Sequence, residues 1–91
     1  MNTIWKYELS PGQQVIKLPK GANILSVTAQ EEVVCLWAFV TPENEPEMRV
    51  FRILGTGDLI NNEFSELEFI GTVQLDTLDN IVSLHVFEVR R

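Results

Sequence analysis

Apolar and polar residues alternate with a period of two along most of this chain, and that alternation limits the fold more than any other feature. In the segment TIWKYEL (residues 3–9), Trp5 and Tyr7 fall on one side and Lys6 on the other. Successive side chains of a β-strand point to opposite faces, so the pattern predicts a strand with one buried face. Six further segments of this kind follow, separated by turn-forming residues. The predicted strands are residues 3–9, 13–18, 24–30, 33–41, 48–54, 66–75 and 81–90.

Seven short strands without a convincing helical period predict an all-β fold, either a small antiparallel sandwich or a barrel. The 91 residues suffice for one hydrophobic core, so we expect a single domain over residues 1–91. The segment VVCLWAFV (residues 33–40) is apolar on both faces, which predicts a central, fully buried strand. A helix is considered only for residues 58–67.

The charge balance narrows the classes of binding partner. Thirteen acidic and seven basic residues give a net charge of −6. General binding to nucleic acid or to an anionic membrane is therefore not expected, because phosphate contacts require basic side chains. A single cysteine, the lack of an N-terminal signal pattern and the lack of an apolar run of about 18 residues predict a cytoplasmic protein without a membrane span.

The chain offers little material for catalysis. His85 is its only histidine, and it is read either as a general base or ligand, or as a hydrogen-bonded structural residue. A Cys35–His85 nucleophile pair is the sharper alternative, but Cys35 lies in the most apolar strand, where a thiol behaves as a small hydrophobe. No histidine, cysteine or carboxylate spacing matches a metal site. We therefore expect a protein that is not an enzyme and uses no metal or cofactor.

The most distinctive motif is ILGTGDLI (residues 53–60). Glycines allow backbone N–H groups to converge on an anion, and the Thr56 hydroxyl adds a donor. The competing interpretation is a corner between strands, with Asp58 repelling any anion nearby. Arg49 and Arg52 precede the loop on opposite faces of one predicted strand, so only one of them can flank the same pocket. The predicted ligand-binding residues here are Arg49, Arg52, Gly55, Thr56 and Gly57, with His85 as a further candidate.

The aromatic residues supply a second set of candidates. Most of them occupy predicted inward positions and are explained by core packing. Trp5 and Tyr7 near the N-terminus could instead stack on a base or on a partner subunit. We keep both as predicted binding residues, and the alternative is that they cover the edge of their own core.

Six blocks of the sequence form a further pattern. They are IWKYEL (4–9), LPKGANILSV (18–27), CLWAFV (35–40), FRILGTG (51–57), FIGT (69–72) and HVFE (85–88). Together these blocks resemble a family of small bacteriophage and prophage proteins of unknown function. The resemblance covers nearly the whole chain, although the blocks are mostly fold-forming. In that family His is frequent where this chain has Asp58, and Trp is frequent where it has Leu84.

This resemblance implies a phage-type accessory protein that acts by binding in the cytoplasm of a bacterial host. The leading hypothesis is a homo-oligomer that sequesters a small anionic nucleotide used as an immune signal. About 64% of the chain's surface is expected to be buried, so one subunit has little room for a deep pocket and an oligomer would supply one. The alternative is an interaction protein that inhibits a host defence protein or docks on a virion component. Its acidic loops would be Glu43, Glu45 and Glu47, and Glu63, Glu66 and Glu68.

Overall fold

Each of the seven alternating segments forms a β-strand, as the sequence predicts. The computed structural model describes residues 1–61 and 64–90. Its helical content in these residues is one 3-10 turn, Phe64–Glu66. Residues 62 and 63 of the considered helix at 58–67 lie outside the described residues. The strands are β1 Thr3–Leu9, β2 Gly12–Pro19, β3 Asn23–Gln30, β4 Val33–Val40, β5 Pro46–Gly55, β6 Leu67–Asp76 and β7 Ile81–Val89.

The strands form two antiparallel sheets that stack as a sandwich. The three-stranded sheet has the order β1-β4-β3 and the four-stranded sheet the order β2-β5-β7-β6. The sheets remain separate, so the fold is the sandwich of the two predicted architectures and not a closed barrel. They meet most closely where β3 packs on β6. A side chain at Gly71 would lie 2.9 Å from Cγ2 of Val27, so glycine is required for this close approach.

The hydrophobic core lies between the inner faces of the two sheets. β4 contributes Leu36 and Ala38, both completely buried, from the three-stranded sheet. β5 and β7 contribute Phe51 and Val86, also completely buried, from the other sheet. Because these residues alternate with outward-facing ones, the period of two in the sequence is the direct result of this packing.

β4 is the central strand of its sheet, as predicted, but it is not buried on both faces. Its residues that face the core are buried, whereas Phe39, which points away from the core, is 38% exposed. The outer residue Cys35 is nevertheless only 1% exposed. The prediction of two buried faces was wrong because the described part of the chain places no further layer over the three-stranded sheet.

The connection from β5 to β6 crosses the four-stranded sheet. Both strands pair antiparallel with β7, so they run parallel to each other and need a crossover. The ring of Phe64 packs edge-on against Phe87, with centroids 6.5 Å apart, which places this end of the connection on the side away from the core. Over the residues that the structure describes, no helix is long and apolar enough to cross a membrane.

Candidate functional site

The side of the four-stranded sheet that faces away from the core carries a mixed polar and aromatic surface, which we call the outer face. Cross-strand pairing arranges its side chains in rows, because paired residues of an antiparallel sheet point the same way. One row is apolar, the next mixes aromatic and polar groups, and the third is mostly polar. The rows are Val15, Val50, Val89 and Leu67; Gln13, Arg52, Phe87 and Phe69; and Leu54, His85 and Thr72.

His85 lies between two threonine hydroxyls at the polar end of the outer face. Its Nε2 is 2.7 Å from Oγ1 of Thr56, and its Nδ1 is 2.9 Å from Oγ1 of Thr72. A hydroxyl can donate or accept, so either tautomer of a neutral imidazole is satisfied. Both ring nitrogens therefore bond neutral groups, and the imidazole is held in a fixed orientation on a half-buried strand position.

The glycine loop forms a tight turn that uses its own donors. Asp58 N–H donates to the carbonyl of Gly55 at 3.1 Å, and the Asp58 carboxylate accepts the N–H of Gly55 at 2.7 Å. Gly57 has a φ of 94°, which favours glycine at this position of a turn. The anion held by this loop is its own Asp58 carboxylate, so the geometry is that of a corner, and the part facing the outer surface is the Thr56 hydroxyl.

Arg52 lies in the middle row, beside an aromatic pair. Its Nε donates to Oε1 of Gln13 at 2.9 Å on the neighbouring strand. On its other side Arg52 is paired with Phe87, which contacts Phe69 at a centroid distance of 5.5 Å. Phe69 is 57% exposed. The outer face thus places a guanidinium, an exposed aromatic ring and the His85 cluster on three adjacent strands.

Arg49 has a different environment, at the end of the sandwich between the sheets. Its guanidinium binds the carboxylate of Glu88 at 2.7 and 2.8 Å, and it donates to the carbonyl of Ala22 at 2.6 Å. The side chains of Arg49 and Glu88 are only 13% and 6% exposed. The hydrogen bond to Glu88 raises the pKa of Arg49 above its usual value. Arg49 therefore contributes to the fold, through a bidentate pair with Glu88 and a further N–H that bonds the backbone.

A second ion pair, between Arg90 and Glu68, extends this charged group. We call Arg49, Glu68, Glu88 and Arg90 together the rim cluster. Glu68 and Glu88 are directly opposite each other on β6 and β7, an arrangement that is unfavourable for like charges. Arg90 offsets it by binding Glu68 at 2.7 Å, and it lowers the pKa of that carboxyl. The rim cluster lines an open cleft of about 520 Å³.

The structure places Trp5 and Tyr7 away from the outer face. They lie on the inner side of β1 in the other sheet, and Trp5 is 42% exposed beside the prolines Pro19 and Pro42. The hydroxyl of Tyr7 is buried without a hydrogen-bond partner among the described residues, and burial raises the pKa of Tyr7. The eight predicted residues therefore separate into three places: Arg52, Gly55, Thr56, Gly57 and His85 come together, whereas Arg49 lies at the rim and Trp5 and Tyr7 lie on β1.

The Cys35–His85 pair is excluded by the sandwich. Cys35 points to the outside of the three-stranded sheet, and His85 points to the outside of the four-stranded sheet. The core separates the two side chains, so the alternative of a cysteine nucleophile activated by this histidine was wrong. Over residues 1–61 and 64–90, no three His, Cys, Asp or Glu side chains are grouped to hold a metal ion.

The acidic residues of the alternative hypothesis do not form one surface of free carboxylates. Glu43 pairs with the N-terminal amine, and Glu68 pairs with Arg90. Glu47 lines the cleft of the rim cluster. Glu63 lies outside the described residues.

Sequence reasoning missed Glu88, Thr72, Gln13 and the outward role of Phe69. A signal for Glu88 was present, since it is the one charged residue in the final strand between apolar neighbours (VFEV), and a buried carboxylate requires a cation. No comparable signal marks Thr72, because its contact with His85 depends on the register of β6 against β7.

Comparison with known proteins gives one result. A family model described as a domain of unknown function (DUF7352) matches residues 1–91, so the chain belongs to this family. No curated protein and no solved structure matches it.

Proposed function

We propose that this protein is a non-enzymatic binding protein that captures a small nucleotide-type signal on the outer face of its four-stranded sheet and works as a homo-oligomer. The observation that carries the proposal is the placement of Arg52, His85 and the exposed ring of Phe69 on one face. The bacteriophage setting is taken from the sequence resemblance. It is the reason for proposing that the ligand is an immune signal of the host.

The chemistry of this face suits a ligand with a planar base and a phosphate. An aromatic ring offers a stacking surface that accepts any base. A guanidinium binds phosphate oxygens through paired N–H donors, and hydroxyl groups add neutral donors. The outer face supplies these three groups from Phe69 and Thr72 on β6 and from Arg52 on β5, with β7 between the two strands. A bound phosphate would replace the contact of Arg52 with Gln13.

The surroundings of His85 support binding over catalysis. A histidine that acts as a general base is usually oriented by a carboxylate, which also stabilises the imidazolium. In the described chain both ring nitrogens of His85 instead bond threonine hydroxyls. This arrangement holds the ring in a fixed orientation on the outer face, without the carboxylate that would activate it as a base.

The proposal is tested by isothermal titration calorimetry with a panel of cyclic dinucleotides, cyclic trinucleotides and linear dinucleotides. We expect at least one member to bind, and Arg52→Ala to weaken that binding by roughly 10- to 100-fold, the effect of losing a charge-assisted hydrogen bond. Arg90→Ala is the matched control, because it removes an arginine from the rim cluster. Circular dichroism would confirm that both variants fold.

A second measurement does not depend on choosing the panel. Native mass spectrometry would compare the protein purified from phage-infected, defence-bearing cells with protein from uninfected cells. A captured ligand would add a few hundred daltons per site only after infection. A clean mass in both samples, or Arg52→Ala with unchanged affinity for a panel member that binds, would contradict the proposal.

A further inference from the structure

The two-sheet sandwich has four edge strands, and one side of each has no neighbouring strand in the described chain. They are β1 and β3 in one sheet and β2 and β6 in the other. An open edge presents a row of N–H and C=O groups that can pair with another strand. Proteins usually block such edges with bulges, prolines or very short strands.

Three of the four edges carry such a block. The register of β3 is broken by a bulge between Ile24 and Ser26, and that of β6 between Phe69 and Gly71. β2 ends in Pro19, which has no N–H to offer. β1 differs from all three, because its seven residues pair with β4 in an unbroken register and include no proline.

The residues of β1 also favour pairing. Ile4 and Trp5 are 55% and 42% exposed, and both are strong strand formers. A regular, apolar and exposed edge of this kind is a site of uncontrolled association unless a defined partner covers it. The pattern of charges along β1 identifies that partner.

Two copies of β1 can pair antiparallel around a two-fold axis, and the charges select the register. Residues that face each other across an antiparallel pair point to the same side of the sheet. The two-fold axis must therefore lie where one residue faces its own copy, and we name each register by that residue. An axis through Lys6 would place two lysines opposite each other, and an axis through Trp5 would place Lys6 against Ile4. An axis through Tyr7 places Lys6 of each copy opposite Glu8 of the other, twice, with Trp5 opposite Leu9.

Both charged side chains are available for this exchange. Lys6 and Glu8 lie on the outer side of β1 and are exposed. Nζ of Lys6 donates to Oε1 of Gln30 at 2.8 Å, a neutral partner that a carboxylate can replace. Glu8 makes no ion pair among the described residues. Opposite charges directly across a strand pair stabilise it, and they set its register.

We propose that the protein forms a two-fold symmetric dimer by antiparallel pairing of β1 with β1 of a second copy, centred on Tyr7. The two three-stranded sheets become one continuous six-stranded sheet, and the open edge disappears. The interface is self-complementary, as a two-fold dimer requires. It specifies one contact of the homo-oligomer in the proposed function, but it needs no ligand and is tested without one.

Sedimentation equilibrium of the ligand-free protein, with charge-exchanged variants, tests the pairing. Lys6→Glu and Glu8→Lys each replace two attractive pairs with two repulsive ones, so each should raise the dimer dissociation constant by about tenfold or more. The double variant K6E/E8K should dimerise like the wild type. An equimolar mixture of the two single variants should form a heterodimer with wild-type affinity. Lys20→Glu and Asp79→Lys make the same charge changes away from β1 and should leave the dissociation constant unchanged.

Amide hydrogen exchange gives a second readout. The β1 amides that do not bond β4 should exchange slowly at a protein concentration well above the dissociation constant and quickly well below it. The same amides of Glu8→Lys should exchange quickly at both concentrations.

Four results would overturn the proposal. They are a monomeric wild type at several hundred micromolar, a dimer that both single variants leave intact, failure of the double variant to restore association, and β1 amides whose exchange is independent of concentration.

Titration of Glu8→Lys with the nucleotide panel separates this inference from the proposed function. Binding by that variant supports the outer-face site whatever the fate of the dimer, and a β1 dimer without nucleotide binding leaves the interface standing alone.

Discussion

Arg49 and Arg52 lie three residues apart on the same strand, and the sandwich gives them opposite roles. Arg49 points between the sheets, where Glu88 binds it through two oxygens and a backbone carbonyl accepts another N–H. Arg52 points outward, where Gln13 accepts its Nε–H and an aromatic pair lies alongside. One arginine contributes to the stability of the fold, and the other belongs to the surface that we propose as the binding site.

The difference follows from the alternation that defines the fold. An odd separation along a strand places two side chains on opposite faces, so nearby basic residues do not combine into one site. A guanidinium on the core side must be paired, because an uncompensated buried charge is strongly unfavourable. On the outer side, Arg52 instead donates to the neutral amide of Gln13.

Arg49→Ala gives the largest expected effect. It leaves the buried carboxylate of Glu88 with only its longer contact to Arg90, at 3.7 Å, and breaking a buried pair in this way costs about 3 kcal/mol or more of unfolding free energy. Urea denaturation followed by tryptophan fluorescence measures it. Arg52→Ala is the matched control on the outer face, with an expected change within about 1 kcal/mol. Equal losses for the two variants would show that the contrast between the faces is wrong.

Removing both partners at the rim should cost much less than removing one. In Arg49→Met/Glu88→Leu the two apolar side chains pack where the ion pair was, and such replacements are often neutral. We expect the double variant to recover about 2 kcal/mol relative to Arg49→Ala, measured by the same denaturation. A double variant as unstable as Arg49→Ala would mean that the rim needs the charges themselves, and not only their mutual compensation.

The alternation of the sequence was sufficient to predict the seven strands and the central place of β4, because each strand has a buried face that selects every second residue. It was not sufficient for two local features. β3 and β4 are joined by Glu31 and Glu32, both with positive φ (51° and 64°), although neither residue favours that region. The exposed outer side of β4 could not be predicted, since an apolar run does not show whether another layer covers it.

The candidate site was predicted only in part, for a related reason. The loop residues and His85 were identified as chemically distinctive, and the structure brings them together with Arg52. The inclusion of Arg49 was based on proximity in sequence, whereas its position depends on Glu88, 39 residues away. Contacts of that range are set by strand register, which a single sequence does not specify.

Thr72→Val is a smaller change, made on the outer face. It removes the hydroxyl at Nδ1 of His85 at nearly constant volume, and loss of one hydrogen bond costs about 1 kcal/mol. The ring nitrogen chemical shifts of His85 should also change, because the bond to Thr56 then decides the tautomer alone. Nitrogen-15 NMR of the histidine measures this. Thr3→Val, on β1, is the control that should change neither quantity, and unchanged His85 shifts in Thr72→Val would contradict the network.

The smallest expected effect is the pH dependence of the exposed end of the rim cluster. Arg90 lowers the pKa of Glu68 below its ordinary value of 4.5 in the folded state. A carboxyl with a depressed folded-state pKa stabilises the protein above the unfolded-state value and loses that contribution as the pH falls through the folded-state value. Glu68→Gln should therefore be slightly less stable than the wild type at pH 7, and the difference should vanish in acid.

Carbon-13 NMR titration of the Glu68 carboxyl carbon measures the cause directly. Its midpoint should lie below 4.5 and should move up towards that value in Arg90→Met, because the ion pair that lowers it is lost. Glu45→Gln, a change at an exposed residue outside the rim cluster, is the matched control for the stability measurement. A Glu68 midpoint that Arg90→Met leaves unchanged would show that this pair is too solvated to couple. The stabilising part of the cluster would then end at the buried pair of Arg49 and Glu88, and the contrast between rim and outer face would depend on that pair alone.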